Sequence, residues 1–301
     1  MEISRLILAA AVASGMLAAQ DVEQRIQSEV KNFRGTVSLF AKNLSTGATF
    51  AIEGQRRVRT ASTIKLAIMA GAFAEVSRGH AAWSDRLTLS AANKVSGSGV
   101  LTEFSDGVAL PLVDLVHLMI VVSDNSATNL VLDRIPGDVV NAEMEKLGLT
   151  QTRSLRKILN DHDPAAASNS RSTEGRKEQN RAFGIGVSTP REMVMLMEKL
   201  YRGEVVSAGA SSEMLAILKR QQHHDGIGRT LRETVIASKS GALDHLRSDV
   251  AIVYAKGGPI AMAITCDDIP EVNYTNDNPG DLLISRLSLL LLEQLGGGVN
   301  P

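Results

Sequence analysis

The chain has 301 residues, 44% hydrophobic and 22% charged, the profile of a globular protein long enough for one large domain or two modest ones. Lys plus Arg number 32 against 33 Asp plus Glu, a formal charge of −1, and only 3% of residues are aromatic, so neither a basic nucleic-acid footprint nor a base-stacking platform is available. A single cysteine, Cys266, excludes an internal disulfide framework and a cysteine-based zinc cluster.

At the start of the chain, Arg5 precedes an apolar stretch, Leu6 to Ala13, and small residues Ala18 and Ala19 stand before Gln20. That order of charge, apolar run and small residues reads as a secretory leader, residues 1–19, and the run falls short of the roughly 20 residues that span a bilayer. The expectation is a periplasmic or secreted protein with no stable membrane insertion after cleavage. In an oxidising compartment a lone thiol is best buried, and Cys266 closes the strand-like run Ala261 to Cys266.

Asp21 to Asn32 carries Val22, Ile26 and Val30 at four-residue spacing and predicts an amphipathic helix. Thr36 to Ala41 and Thr49 to Ile52 flank the turn chemistry of Asn43-Leu44-Ser45-Thr46-Gly47 and read as a hairpin. Helical periodicity follows in Thr63 to Ser77, Leu112 to Val121, Asn125 to Arg134 and Pro190 to Tyr201. Asp161 to Arg181 is polar and predicts an exposed loop. Leu231 to Ser238, Asp249 to Ala255 and Ile260 to Cys266 read as strands, and Leu282 to Leu295 as a last amphipathic helix. Strands at both ends with helices between predict an α+β fold: an antiparallel sheet built from both chain ends, near residues 20–58 and 229–301, and an all-helical lobe near 59–228. A cleft between the lobes is a natural place for a site.

The pattern Ser-x-x-Lys occurs at Ser28, Ser62 and Ser154, and context separates them. Ser28 lies inside the first helix and Ser154 in an irregular basic stretch. Ser62 opens a long apolar helix, where free backbone N–H groups and the helix dipole stabilise negative charge on a reacting oxygen. Lys65 is one turn on, on the same face, and an apolar surround would lower its pKa enough to take the serine proton. A capping serine and a surface lysine would satisfy the same short pattern. Ser123-Asp124-Asn125 follows an apolar helix, where these types also cap, and Lys239-Ser240-Gly241 follows Val235-Ile236-Ala237, where a glycine also ends a strand. Gly97-Ser98-Gly99 reads as a turn beside the cleft. Asn160-Asp161-His162-Asp163 and His223-His224-Asp225 look metal-like but supply no recognisable ligand set.

The three elements in this order resemble the serine penicillin-recognising enzymes, and among them the chain is similar to a class A β-lactamase-related serine hydrolase. The resemblance covers nearly everything after the leader, including Ser126-Ala127-Thr128-Asn129-Leu130 and Ser188-Thr189-Pro190, which makes residues 20–301 a single catalytic domain of β-lactamase/transpeptidase-like fold. It implies Ser62 as nucleophile, Lys65 as proton acceptor, Ser123 as proton relay to the leaving nitrogen and Lys239 as the setter of the local field. It further implies Asn125 on the substrate's side-chain amide, backbone N–H groups of Ser62 and Ala242 as oxyanion hole in the strand around Gly241, and Ser240 and Arg247 on the substrate carboxylate. No cofactor or metal is implied; the partner is a small β-lactam or a peptidoglycan-peptide-like substrate, and the protein a monomer.

One departure stands out. Class A enzymes carry a Glu-x-x-x-Asn loop whose glutamate activates the deacylating water, and here Arg156-Lys157-Ile158-Leu159-Asn160 puts an arginine, which cannot act as a base, in that place. Asp161, Asp163, Glu174 and Glu178 in the adjacent loop are candidate substitutes, as is Lys65 itself. The leading expectation is a β-lactam-opening hydrolase; the alternatives are a D-Ala-D-Ala peptidase or esterase, and a penicillin-binding sensor that acylates without turnover.

Overall fold

The computed structural model describes residues 20–159 and 170–296. The leader, the Asn160 to Asp163 cluster and much of the polar loop's first half lie outside the described residues. Helix α1 (residues 20–32) precedes the hairpin β1 (Thr36–Asn43) and β2 (Thr49–Ile52), whose turn is closed by Asn43 Oδ1 accepting from the Ser45 and Thr46 N–H groups at 2.9 and 3.1 Å. Next come β3 (Val58–Arg59), a 3₁₀ turn Ala61–Ile64, α2 (Lys65–Ser77), β4 (Arg86–Thr88), β5 (Ala109–Pro111), α3 (Leu112–Val121), α4 (Asn125–Arg134) and α5 (Gly137–Lys146). The middle closes with β6 (Arg153–Ser154), α6 (Thr173–Arg176), β7 (Gly186–Ser188), α7 (Pro190–Arg202) and α8 (Ala208–Leu218). The chain then runs β8 (Ile236–Leu243), β9 (Leu246–Ala255), β10 (Gly258–Asp267) and α9 (Pro279–Gln294).

The main sheet has the order β2-β1-β10-β9-β8, so the first and last strands of the chain lie side by side, antiparallel, with Thr36 opposite Asp267. Alternation along the strands divides two cores. Leu39, Ala41, Met262, Ile264 and Cys266 face α1 and α9, whose Val22, Ile26, Leu283 and Leu287 complete that layer. Phe40, Ala261, Ala263, Val250 and Ile252 face the helical side, where α2, α3 and α7 pack. The Cys266 thiol is buried in the layer against α1 and α9, and burial pushes its pKa up. No helix among the described residues is long and apolar enough to cross a membrane.

Three differences from the sequence reading bear on the site. Strand β8 begins at Ile236 and runs through Lys239-Ser240-Gly241 to Leu243, so the triplet lies inside a strand and not after one; pairing with β9, Lys239 to Val250 and Gly241 to Ser248, outweighs the weak strand propensity of Gly and Ser. Arg247 is likewise inside β9, which starts at Leu246. Helices α5 and α8 went unread: α5 buries only a few apolar positions, Val140 and Met144 among them, and α8 opens on Ala-Gly-Ala-Ser-Ser, so packing and not periodicity holds them.

Helix α2 is the centre of the helical side, with every residue from Lys65 to Ala74 buried. It meets α4 at a junction organised by Asp124, which is buried and caps α4 through Oδ1 accepting from Ala127 N–H at 2.8 Å, while Oδ2 accepts from Val100 and Leu101 N–H at 2.6 and 2.9 Å. One carboxylate thus satisfies three backbone donors. Gly99, at φ +104, lets this loop approach, since a Cβ there would stand 2.2 Å from Asp124 Oδ2. Removing the carboxylate leaves three buried N–H groups unsatisfied, so Asp124→Ala is expected to destabilise the protein by about 3 kcal/mol, read as a fall in the urea midpoint at unchanged m-value.

Candidate active site

Ser62 is the second residue of the 3₁₀ turn that feeds directly into α2. The residue before it, Ala61, has φ +46, a left-handed conformation that costs a non-glycine residue about 1 kcal/mol or more and marks a backbone held by its surroundings. What holds it is β8, an edge strand of the main sheet laid against the turn. A Cβ on Gly241 would stand 2.9 Å from Ser62 N and 2.9 Å from Thr60 O, so only glycine admits this approach. The Ser62 hydroxyl is half-buried and has no hydrogen-bond partner among the described residues.

Lys65 follows one turn later as the first residue of α2, fully buried. Its Nζ donates to Ser123 O at 2.7 Å, to Ser123 Oγ at 3.1 Å and to Asn125 Oδ1 at 3.0 Å. Those acceptors come from the corner between α3 and α4, where Ser123 takes φ +55. The corner is pinned from outside: Asn125 N–H donates to Ser98 O at 3.0 Å, Asn125 Nδ2 to Ser96 O at 2.8 Å, and Ser98 Oγ to Val122 O at 3.2 Å. The Gly97-Ser98-Gly99 turn is the outer wall of this corner.

Two buried lysines share the site. Burial holds Lys65 well below the usual lysine range, and the charge of Lys239 pushes it the same way, against an opposing pull from Asp124. Burial also lowers Lys239, to about 7, with Asp249 opposing. Lys239 Nζ donates to Ser240 O at 2.7 Å. Asp249, buried in β9 beneath, is raised by burial; its Oδ2 accepts from Ile227 N–H at 2.9 Å. A lysine moved toward its neutral form, one turn from an unbonded hydroxyl at a helix start, can serve as proton acceptor for a nucleophile, as acyl-serine chemistry requires.

The structure therefore gathers Ser62, Lys65, Ser123, Asn125 and Gly241, with Lys239 close enough to repel Lys65. Ser240 and Ala242 flank Gly241 in β8. Arg247 is not brought to this cluster. It is 4% exposed, its Nε donates to Asp281 at 3.0 Å, Nη1 to Leu243 O and Leu246 O at 2.7 Å each, and Nη2 to Asn273 O, while the Tyr274 ring lies 5.0 Å from its Cζ. Those donors meet this chain's own carboxylate and carbonyls in the structure, while the backbone of Arg247 pairs with Ala242 across β8 and β9.

Asn129 is a residue the motifs did not single out by role. Its carboxamide accepts from Ile158 N–H at 2.9 Å and donates to Ile158 O at 2.8 Å. Asn129 lies four residues after Asn125 on α4, hence one turn along the same face, so the loop residue fixed beside the cluster is Ile158. Arg156, two residues earlier, donates from Nη1 to Lys157 O and bridges Arg171 across the loop. Among the described residues no group of three or more His, Cys, Asp or Glu is arranged to hold a metal ion.

Comparison with known proteins bears on family and fold. A model of the Beta-lactamase enzyme family matches residues 21–295. A β-lactamase of Bacillus licheniformis is 25% identical over 261 residues, 82% of this chain and 79% of that protein. Among solved structures, a β-lactamase from Sphaerobacter thermophilus superposes with a TM-score of 0.78 at 30% identity, covering 93% of this chain and 98% of that one. PBP-A superposes with a TM-score of 0.74 at 25% identity, covering 92% and 96%. A leucine-to-glutamate variant of PBP-A, solved as an acyl-enzyme complex with penicillin G, gives 0.75 at 25% identity, covering 92% and 97%.

A base must lose its proton before it can accept one, so acylation of Ser62 by an activated ester is expected to rise with pH along a limb set by Lys65, well below pH 10. Lys239→Ala removes a like charge, which makes Lys65 easier to protonate; the limb should move up by about one pH unit, measured from the pH profile of the acylation rate.

Proposed function

The chain belongs to the Beta-lactamase enzyme family, and from that premise we propose that it is an exported serine hydrolase opening β-lactam rings through an acyl-Ser62 intermediate. The observation that carries this reading is the buried Lys65 amine, held by Ser123 and Asn125 one turn from the Ser62 hydroxyl. Neutral Lys65 takes the Ser62 proton as Oγ attacks the carbonyl carbon. The backbone N–H groups of Ser62 and Ala242 stabilise the oxyanion, aided by the start of α2. The C–N bond then breaks, and the proton passes from Lys65 through the Ser123 hydroxyl to the leaving nitrogen, leaving the acyl group as an ester on Ser62. Lys239 keeps Lys65 short of a proton, Asn125 holds the substrate's side-chain amide, and Ser240 meets its carboxylate.

A second reading keeps the nucleophile and slows the second half: a D-Ala-D-Ala peptidase or a penicillin-binding protein whose acyl-enzyme persists. The observation favouring it is the loop held by Asn129, where residues 155–159 contain no carboxylate to activate water. The likeness to PBP-A points the same way.

Intact-mass spectrometry with penicillin G over time separates the readings. The expected outcome is an adduct that Ser62→Ala abolishes; no adduct, or one that survives this change, would defeat the nucleophile assignment. Product accumulating as the adduct turns over supports the hydrolase, and a lasting adduct the second reading. Ile158→Glu is expected to speed adduct decay about ten-fold or more, whereas Arg156→Glu, from a position Asn129 does not hold, leaves decay unchanged.

A further inference from the structure

His223 is the titratable side chain at this site that neither the motifs nor the mechanism uses. The segment Gln221 to His223 is tied to the carboxyl end of α3: Gln221 Nε2 donates to Ile120 O at 2.9 Å, Gln222 N–H to Val121 O at 3.0 Å, and the His223 ring approaches Val122 O through Nε2 at 3.4 Å. Gln221 Oε1 in turn accepts from the Gln222 and His223 N–H groups at 2.9 and 3.1 Å, locking the turn. The imidazole therefore stands next to Ser123, the residue that passes a proton to the leaving group, and it is exposed toward solvent.

With Nε2 on the Val122 carbonyl, Nδ1 is the edge left for a ligand; no partner for it occurs among the described residues. The charged groups that act on the ring are Lys239 from β8, Lys65 from α2 and Asp225 from its own loop. Desolvation of the ring, with Lys239 adding to it, holds His223 below its ordinary range, against the hydrogen bond to Val122 and the pull of Asp225. A substrate anion arriving here reverses that balance. Arg247, the other candidate for such an anion, is buried and spent on Asp281 and backbone carbonyls.

We propose that His223 is a specificity residue of the site: its Nδ1 edge reads an acid group that the substrate carries on the leaving-group side of the scissile bond. The inference rests on the acyl-Ser62 reading for which side that is. Binding the acid draws one proton from solvent onto Nδ1, after which the imidazolium donates from Nδ1 to the carboxylate and from Nε2 to Val122 O. No bond is made or broken in the protein. Neutral leaving groups, as in simple esters, gain nothing from this edge.

The test measures binding without turnover, using Ser62→Ala protein with penicillin G and with its methyl ester, from pH 8 to pH 5.5. The carboxylate of the free acid stays ionised across that range, so the change in preference reports the protein. Lys239 titrates in the same window, so the readout is the difference between Ser62→Ala and Ser62→Ala/His223→Gln. The preference for the acid over the ester is expected to grow about five-fold more on acidification when His223 is present, the effect of one unit charge at contact distance in a wetted cleft. Glutamine keeps an amide donor for Val122 O and carries no charge; His223→Ala should lose the same increment. Parallel profiles with and without His223 would overturn the proposal, as would equal binding of acid and ester to the Ser62→Ala protein. Failure of the acylation reading is a separate result: no penicillin adduct on Ser62 in the parent, with the His223-dependent preference intact.

Discussion

Everything at this site depends on burying the amine of Lys65. Taking an ammonium out of water costs of the order of several kcal/mol unless it is paired, and here its partners are a carbonyl, a hydroxyl and a carboxamide oxygen. None carries a full charge. Asp124, the carboxylate that acts on it, is committed to three backbone N–H groups, so it organises the corner more than it neutralises the lysine. Burial, with the charge of Lys239 beside it, moves the amine toward its neutral form. The buried amine thus stands where α2 is buried along its whole first part and where the corner holds Ser123 at a positive φ.

The second requirement is long-range. Ser62 lies early in the chain and Gly241 late, and they meet only because the sheet is assembled from both ends with β8 at its free edge. The antiparallel pairing of β1 with β10 sets that edge, and the core beneath, from Leu39 to Cys266, fixes its height against the turn. A single absent methyl group, at Gly241, then lets the strand touch Ser62 N. Catalytic geometry here is a property of sheet order as much as of the residues that touch substrate.

Much of this is legible in the sequence, for definite reasons. The candidate site residues sit in short patterns because each is placed by local structure: Lys65 by one helical turn, Ser123 and Asn125 by one corner, Lys239 and Gly241 by strand alternation. Hydrophobic periodicity likewise gives α1, α2, α3, α4 and α7 and the strands of the sheet. What it does not give is anything decided by partners distant in sequence. Lys239-Ser240-Gly241 reads as a strand end until β9 is seen to pair with it. Arg247 resembles a substrate ligand until Asp281, far along the chain, is found to hold it. His223 sits in a doublet that resembles a metal motif, and only the docking of its segment onto α3 gives it a place.

The same distinction explains why the proposed acylation is easier to read than the proposed release of product. The residues proposed for acylation stand on rigid elements, so residue types at fixed spacing carry that reading. Releasing an acyl group needs a water and a base, and these depend on the register of an irregular loop. Register in that loop is set through the backbone: Asn129 grips the peptide of Ile158 whatever side chain that residue bears. A pattern match that counts back from Asn160 selects Arg156, while the hydrogen bonds select a position two residues later. In a strand an error of two leaves a side chain on the same face; in a loop it moves the side chain to a different environment altogether. The side chain set beside the candidate site is therefore chosen by a carboxamide on α4, through the backbone of the position it holds.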